Sequence, residues 1–349
     1  MPPSGSAARA GSGICGAAPN VWDLHRHSEA DWRALFARRP QEAASWIRFA
    51  AGKGFRAAQL MLGQMHLDGT GVPRDAGAAY AWFARAAAIG SLEARNMVGR
   101  CHELGWGVPV DQAEALRHYR RAAAGGLAWA QYNVGCLLLY GTGVRRDHAE
   151  AARHFAAAAA TGHAKAIGLL GRCHEEGWGT PVDRAAARAC YRRAAEGGDC
   201  WGALNLGLLL AEGGRPDEAG PWFETALATA TPNCLATLAD ALDSGRPAGF
   251  EGIALRARRA LGQGGAEPTR AEPDVAAAAP PAAPARAPMR VALAVAAWLC
   301  LRRALTAQRG TLPRRSGDLP RRPVRTRVRA GRPGRPQVRR RPSWIPYWR

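Results

Sequence analysis

A spacing of 36 residues recurs along this chain of 349 residues, and it constrains the fold more than any other feature. Each copy contains, in order, an alanine, a glycine five residues later, a Gly-x-Gly pair and an aspartate. The recurring positions are Ala58, Ala94, Ala130 and Ala166; Gly63, Gly99, Gly135 and Gly171; Gly69, Gly105, Gly141 and Gly177; Gly71, Gly107, Gly143 and Gly179; and Asp75, Asp111, Asp147 and Asp183. Four consecutive copies predict a stack of similar structural units in which each unit packs on its neighbours.

Each copy is predicted to form two helices. The first is expected from about Ala58 to Leu67, where alanine and apolar side chains dominate and Gly63 lets a neighbouring backbone approach. The Gly-x-Gly pair supplies positive φ and ends this helix. The aspartate then caps the second helix, because its carboxylate accepts from free backbone N–H groups. Glu114, three residues after Asp111, further predicts a reciprocal capping box.

The copies fade towards both ends of the chain. We expect residues 1–20 to be disordered, 21–56 to hold capping helices or a degenerate repeat, and 57–250 to form the repeat array. Residues 251–290 are predicted to contain a helix end and a Pro/Ala linker, and 291–349 a disordered Arg/Pro-rich tail. The predicted fold class is therefore all-α, a solenoid of about five to six helix-turn-helix repeats.

The stretches 62–90 ("LGQMHLDGTGVPRDAGAAYAWFARAAAIG") and 134–162 ("VGCLLLYGTGVRRDHAEAARHFAAAAATG") resemble the Sel-one-like repeat family. That family is related to the tetratricopeptide repeats, and the likeness covers about residues 40–250. The resemblance implies a right-handed superhelix of paired helices that acts as an adaptor and binds a protein or peptide on its concave repeat surface. It carries over no catalytic residue and no cofactor, and we expect a non-enzymatic monomer.

One branch of the family is cysteine-rich, secreted and penicillin-binding, and it pairs two cysteines across each helical hairpin. Cys101 and Cys173 lack a partner at a regular position in their repeats, and neither lysine, Lys53 nor Lys165, belongs to an S-x-x-K pair. Residues 1–20 contain no apolar segment typical of a secretory signal. We therefore expect free thiols and a cytoplasmic protein, with the secreted branch as an alternative.

Residues 99–111 ("GRCHELGWGVPVD") and 171–183 ("GRCHEEGWGTPVD") are near copies, 72 residues apart. Cys101 and Cys173 occupy an apolar position of the repeat and are predicted to be core residues. Adjacent helical residues point about 100° apart, so Cys101 and His102 are not expected to share a metal ion. The predicted partner-binding residues are those that flank this pair or recur with the same two-repeat pitch: Arg100, Glu103, Trp106, Trp129, Arg172, Glu175, Trp178 and Trp201.

The formal net charge of +20 is concentrated in the tail. Residues 266–349 contain 19 arginines and 4 acidic residues, which leaves about +5 for the preceding 265 residues. Such a tail predicts, as an alternative function, binding to nucleic acid or an anionic membrane surface. The same composition is also what a GC-rich gene yields in a shifted reading frame. No P-loop, H-E-x-x-H or C-x-x-C motif occurs, and no segment is long and apolar enough to predict a membrane span.

Overall fold

The computed structural model describes residues 29–243 and 249–262, and every regular element in these ranges is an α-helix. The helices are α1 Glu29–Arg38, α2 Pro40–Gly52, α3 Arg56–Asp68, α4 Ala76–Ala88, α5 Leu92–Leu104, α6 Gln112–Ala124, α7 Ala128–Tyr140, α8 His148–Ala160, α9 Ala164–Glu176, α10 Arg184–Glu196, α11 Cys200–Glu212, α12 Pro216–Thr229, α13 Pro232–Asp243 and α14 Glu251–Gly262. The predicted all-α solenoid class is confirmed. The predictions made for the N-terminal segment, the linker and the Arg-rich tail lie outside the described residues.

The described residues belong to two compact units. The first contains residues 29–65 and 69–73 and includes α1 and α2, which lie where the sequence predicts capping helices. Its core holds an edge-to-face pair, with the rings of Trp32 and Trp46 6.0 Å apart. The side chain of Gln59 donates to the carbonyl oxygen of Ala51 at 3.2 Å and ties α3 to the end of α2.

The second unit contains residues 66–68, 74–243 and 249–262, and it is a series of helix pairs. Helices α5–α6, α7–α8, α9–α10, α11–α12 and α13–α14 pack as hairpins, and each hairpin packs on the next. The last pair is more regular than the sequence indicates, because α14 is a complete helix that buries Ile253 and Ala254 against α13. Each pair buries an apolar stripe that it could not cover alone, as expected of a repeat array.

The glycines in the middle of the first helices α5 and α7 make room for an aromatic ring. At Gly99 a Cβ atom would lie 2.6 Å from Cε1 of Tyr119, and at Gly135 it would lie 2.5 Å from Cε1 of Phe155. Both rings are fully buried and come from the second helix of the same hairpin. In these two repeats the absence of a side chain on the first helix therefore admits an aromatic ring from the second helix.

The close backbone approach occurs at the second glycine of the Gly-x-Gly turn. Gly107 has φ +73°, and a Cβ atom there would overlap the carbonyl group of Ala76 at the start of α4. Gly179 has the same φ and meets the carbonyl group of His148 at the start of α8. Each turn thus locks onto the second helix of the preceding repeat, which explains why a side chain cannot be accommodated.

The aspartate after each turn caps the second helix, but the capping box is not reciprocal. The carboxylate of Asp111 accepts from the backbone N–H of Glu114 at 2.9 Å. The backbone N–H of Asp111 donates to the carbonyl oxygen of His102 at 2.8 Å. This N–H is therefore not available to the side chain of Glu114. The predicted return bond from Glu114 is wrong, and its carboxylate contacts Arg117 and His118 instead.

Candidate functional site

The repeated segments 99–111 and 171–183 form the last turn of α5 or α9, its glycine stop, and the turn that follows. Cys101 and Cys173 are fully buried. Burial raises the pKa of the Cys101 thiol to about 12 and that of Cys173 to about 11. A thiol that stays protonated is a poor nucleophile and a poor metal ligand. Both cysteines therefore act as small apolar core residues, as the sequence predicts.

Two of the predicted contact residues in each segment pack on each other. The guanidinium carbon of Arg100 lies 4.9 Å from the ring centroid of Trp106, and the corresponding distance for Arg172 and Trp178 is 5.1 Å. All four side chains are half-buried, so each stacked pair still presents part of its surface to solvent. Cation–π packing of this kind contributes about 0.5–1 kcal/mol at an exposed site and holds both side chains in a fixed orientation.

The two glutamates of the segments are held inside their hairpins. The hydroxyl of Tyr119 donates to the carboxylate of Glu103, and that of Tyr191 donates to Glu175 at 2.5 Å. Burial raises the pKa of Glu103, partly offset by this hydrogen bond and by the nearby Arg100. Glu103 and Glu175 therefore join the first helix to the second, which is a role that sequence reasoning did not assign to them.

The hydrogen bond between Tyr119 and Glu103 can be tested by a double-mutant cycle. The neighbouring repeat has apolar residues at both corresponding positions, and these give the substitutions to use. Phe155 and Leu139 stand where the α5–α6 hairpin has Tyr119 and Glu103, and both are buried. We expect Tyr119→Phe alone to lower the free energy of unfolding by about 1–3 kcal/mol, because it leaves the carboxylate without its donor. Adding Glu103→Leu should restore most of this loss in urea unfolding. Additive losses in the double variant would contradict the proposed coupling.

Trp129 and Trp201 start the first helices α7 and α11. The ring of Trp129 meets the ring of His163 edge-on, with centroids 4.3 Å apart. His163 in turn caps α9, because its Nδ1 accepts from the backbone N–H of Ala166 at 3.2 Å. Burial lowers the pKa of His163 to about 4, so the imidazole is neutral at pH 7 and remains able to accept. Both tryptophans are half-buried, in the same way as the Arg–Trp pairs.

Four of the eight predicted residues share one face of the first helices. Residues separated by 4, 3 and 4 positions lie on one side of a helix. In repeat order, the residues on this face are Glu93, Met97, Arg100 and Leu104; Trp129, Asn133, Cys136 and Tyr140; Lys165, Leu169, Arg172 and Glu176; and Trp201, Asn205, Leu208 and Glu212. We call this set the first-helix face. The amide of Asn133 donates to Asn96 at 2.9 Å, which places α7 directly beside α5.

A cluster that sequence reasoning missed lies between α5 and α6. Ligand atoms of His102, Glu114 and His118 all lie within 4.8 Å of one another. The imidazoles of His102 and His118 stack with centroids 5.7 Å apart and an interplanar angle of 12°. His102 and His118 are 16 residues apart on different helices, so no short motif reveals the cluster.

The match to a known repeat family has nearly the same boundaries as the helix pairs of the structure. The Sel1 repeat matches four successive segments, residues 56–91, 92–127, 130–163 and 164–199. The chain carries four Sel1 repeats. Sel1-repeat proteins generally mediate protein–protein interactions, and the fold is typically a non-catalytic scaffold. No curated protein matches the chain at a significant level.

Two solved Sel1-type structures show the extent of the likeness. A Sel1 repeat protein from Oxalobacter formigenes is 26% identical with a TM-score of 0.59, and the match covers 68% of this chain and all of the other. A protective antigen of uropathogenic Escherichia coli with an SLR fold is 25% identical with a TM-score of 0.52. That match covers 68% of this chain and 54% of the antigen. Both structures support the conclusion that the helical hairpins of this chain are the Sel1 repeats.

Two further observations concern the cysteines and the possibility of a membrane-spanning helix. Among the described residues, Cys101, Cys136, Cys173 and Cys190 are buried free thiols. None of the helices in residues 29–243 and 249–262 combines the length and the apolar character that a membrane crossing requires.

Proposed function

We propose that this Sel1-repeat chain is a non-enzymatic adaptor that binds a segment of a partner protein along its first-helix face. The observation that carries the proposal is the alternation of anchor residues from helix to helix. Arginine occupies this face on α5 and α9, and tryptophan occupies it on α7 and α11. Trp and Arg are the side chains most enriched among the residues that dominate binding energy in protein interfaces.

The chemistry of the face indicates what kind of segment it would hold. Because Arg100 and Arg172 stack on Trp106 and Trp178, their orientation is fixed before binding, which reduces the entropy lost on association. A stacked guanidinium still has N–H groups at its edge that can donate to a carboxylate. The complementary partner is an extended or helical segment that alternates acidic and apolar side chains.

The spacing of the anchors sets the length of that segment. Packed helices lie about 8–10 Å apart, so a segment that crosses α5, α7, α9 and α11 must span about 25–30 Å. An extended chain covers about 3.3 Å per residue, so roughly eight or nine residues are enough. We therefore expect a short linear segment to suffice for binding.

The proposal is tested by charge reversal on this face. We expect Arg100→Glu with Arg172→Glu to abolish recovery of specific partners in a pull-down with the full chain, because it places two carboxylates opposite an acidic segment. The matched control is Arg121→Glu with Arg193→Glu, which makes the same change, also 72 residues apart, on exposed positions of the second helices. The control should retain the partners, and circular dichroism should show both variants folded.

Two outcomes would contradict the proposal. Partner recovery that is equal in both double variants would exclude the first-helix face. Loss of binding only on deletion of residues 266–349, with strong salt dependence, would favour the alternative in which the Arg-rich tail binds nucleic acid or an anionic membrane.

A further inference from the structure

We infer that His102, Glu114 and His118 form a binding site for a divalent transition-metal ion, with zinc as the best-matched candidate. Two imidazoles and one carboxylate are a ligand set that holds zinc in proteins and leaves a fourth position for water. The three ligand atoms already lie within 4.8 Å of one another. Ligands of a tetrahedral zinc ion with bonds of about 2.0–2.1 Å are roughly 3.4 Å apart, so small side-chain rotations complete the geometry.

The two helices position the three side chains independently of any ion. Glu114 and His118 are four residues apart on α6 and face the same side, with Nε2 of His118 3.1 Å from Oε1 of Glu114. His102 enters from the last turn of α5. The ring of Tyr80 meets His102 edge-on, with centroids 5.7 Å apart, and limits its rotation. Such support from packing is what a preorganised metal site requires.

The carboxylate of Glu114 can bind an ion because it takes no part in a reciprocal capping box. The backbone N–H that it would have bound is taken by the carbonyl oxygen of His102. The competing cation is Arg117, whose side chain is 55% exposed and contacts the Glu114 carboxylate. An exposed ion pair between residues three apart on a helix is weak, so Arg117 can swing into solvent when an ion binds.

The open side of the cluster is the side on which the ligand atoms meet. Nε2 of His118 lies next to the Glu114 carboxylate, whereas its Nδ1 is buried on the other side of the ring. The side chains of His118 and Glu114 are 17% and 25% exposed, so an ion can still reach the cluster from solvent.

The neighbouring repeats show that this triad is not a general property of the fold. The α7–α8 hairpin keeps Glu150 and His154, 3.6 Å apart, but has Leu138 where α5 has His102. The α9–α10 hairpin keeps His174 but has Ala186 and Cys190 at the other two positions. The chain therefore supplies natural replacements for each ligand, and these define the variants for the test.

The experiment measures zinc binding to the full chain by isothermal titration calorimetry. His25→Ala and His27→Ala are present in every sample, so that these two histidines, two residues apart in the sequence, do not contribute to the zinc that is measured. We expect one zinc ion bound at the triad, and at least a tenfold loss of affinity in His102→Leu, which copies the α7–α8 arrangement. Zinc should raise the Tm of the parent but not that of His102→Leu. Cobalt should give the visible absorption of a tetrahedral nitrogen–oxygen site without a thiolate charge-transfer band.

Two further variants test the same zinc site. Glu114→Gln changes a partly exposed residue, so it carries the same test if His102→Leu fails to fold. Leu138→His should create a second triad with Glu150 and His154 and raise the stoichiometry from one ion to two. Equal zinc affinity and stoichiometry in the parent, His102→Leu and Glu114→Gln would overturn the proposed site. The pull-down test of the first-helix face is unaffected by either outcome.

Discussion

Replacing Phe155 with alanine is expected to lower the free energy of unfolding by about 3–5 kcal/mol, the range for large aromatic side chains removed from a core. Phe155 is fully buried in the α7–α8 hairpin. Its ring fills the space left by Gly135 on α7, so truncation opens a cavity opposite a residue that has no side chain to fill it. The loss therefore combines the transfer free energy of the ring with the cost of the cavity.

Urea unfolding followed by circular dichroism measures this effect. Leu255→Ala is the control, because Leu255 is 50% exposed and its truncation should cost less than about 0.5 kcal/mol. In the Phe155→Ala background, Gly135→Ala should be tolerated better than in the parent, since its Cβ no longer meets the ring. A Phe155→Ala loss close to that of the control would show that the hairpin does not depend on this packing.

Replacing Gly107 with alanine is expected to cost about 2–4 kcal/mol, although it adds only one methyl group. Part of this cost is conformational, because Gly107 has φ +73° and an L-residue pays about 1–2 kcal/mol in that region. The remainder comes from overlap of the new Cβ with the backbone carbonyl of Ala76, which cannot move aside as a flexible side chain would.

Gly126→Ala separates the two contributions. Gly126 has φ +86°, and a Cβ atom there would meet nothing within 4 Å. Its alanine variant should lose only the conformational part, about 1–2 kcal/mol, and the difference between the two variants measures the overlap. Equal losses at Gly107 and Gly126, compared by thermal or urea unfolding, would mean that the turn does not lock onto the preceding repeat.

The sequence predicted the elements of the repeat well because its signals are local. A left-handed glycine at Gly105 and an N-terminal cap at Asp111 act within a few residues of the chain, so their spacing reveals the helix ends directly. The burial of Cys101 followed from its alignment with apolar residues in other repeats. Periodicity also predicted the pairing of successive helices, since each hairpin needs a neighbour to cover its apolar stripe.

The roles of the motif residues depended on contacts that spacing does not encode. Glu103 was singled out as a partner-binding residue from its position in the motif, and the structure adds a hydrogen bond from Tyr119, which lies 16 residues away on the second helix. The ring of Tyr119 likewise fills the space beside Gly99, and the spacing of the glycines does not reveal this contact.

The sequence by itself determined the repeat, its period and its helix boundaries, because caps, glycine turns and apolar stripes are short-range and recur in register. Only the tertiary structure decided which polar groups meet. His102 and its neighbour Cys101 point about 100° apart on α5, but the facing helix brings Glu114 and His118 to His102. The meeting of side chains across a hairpin depends on how two helices are rotated against each other, and packing sets that rotation.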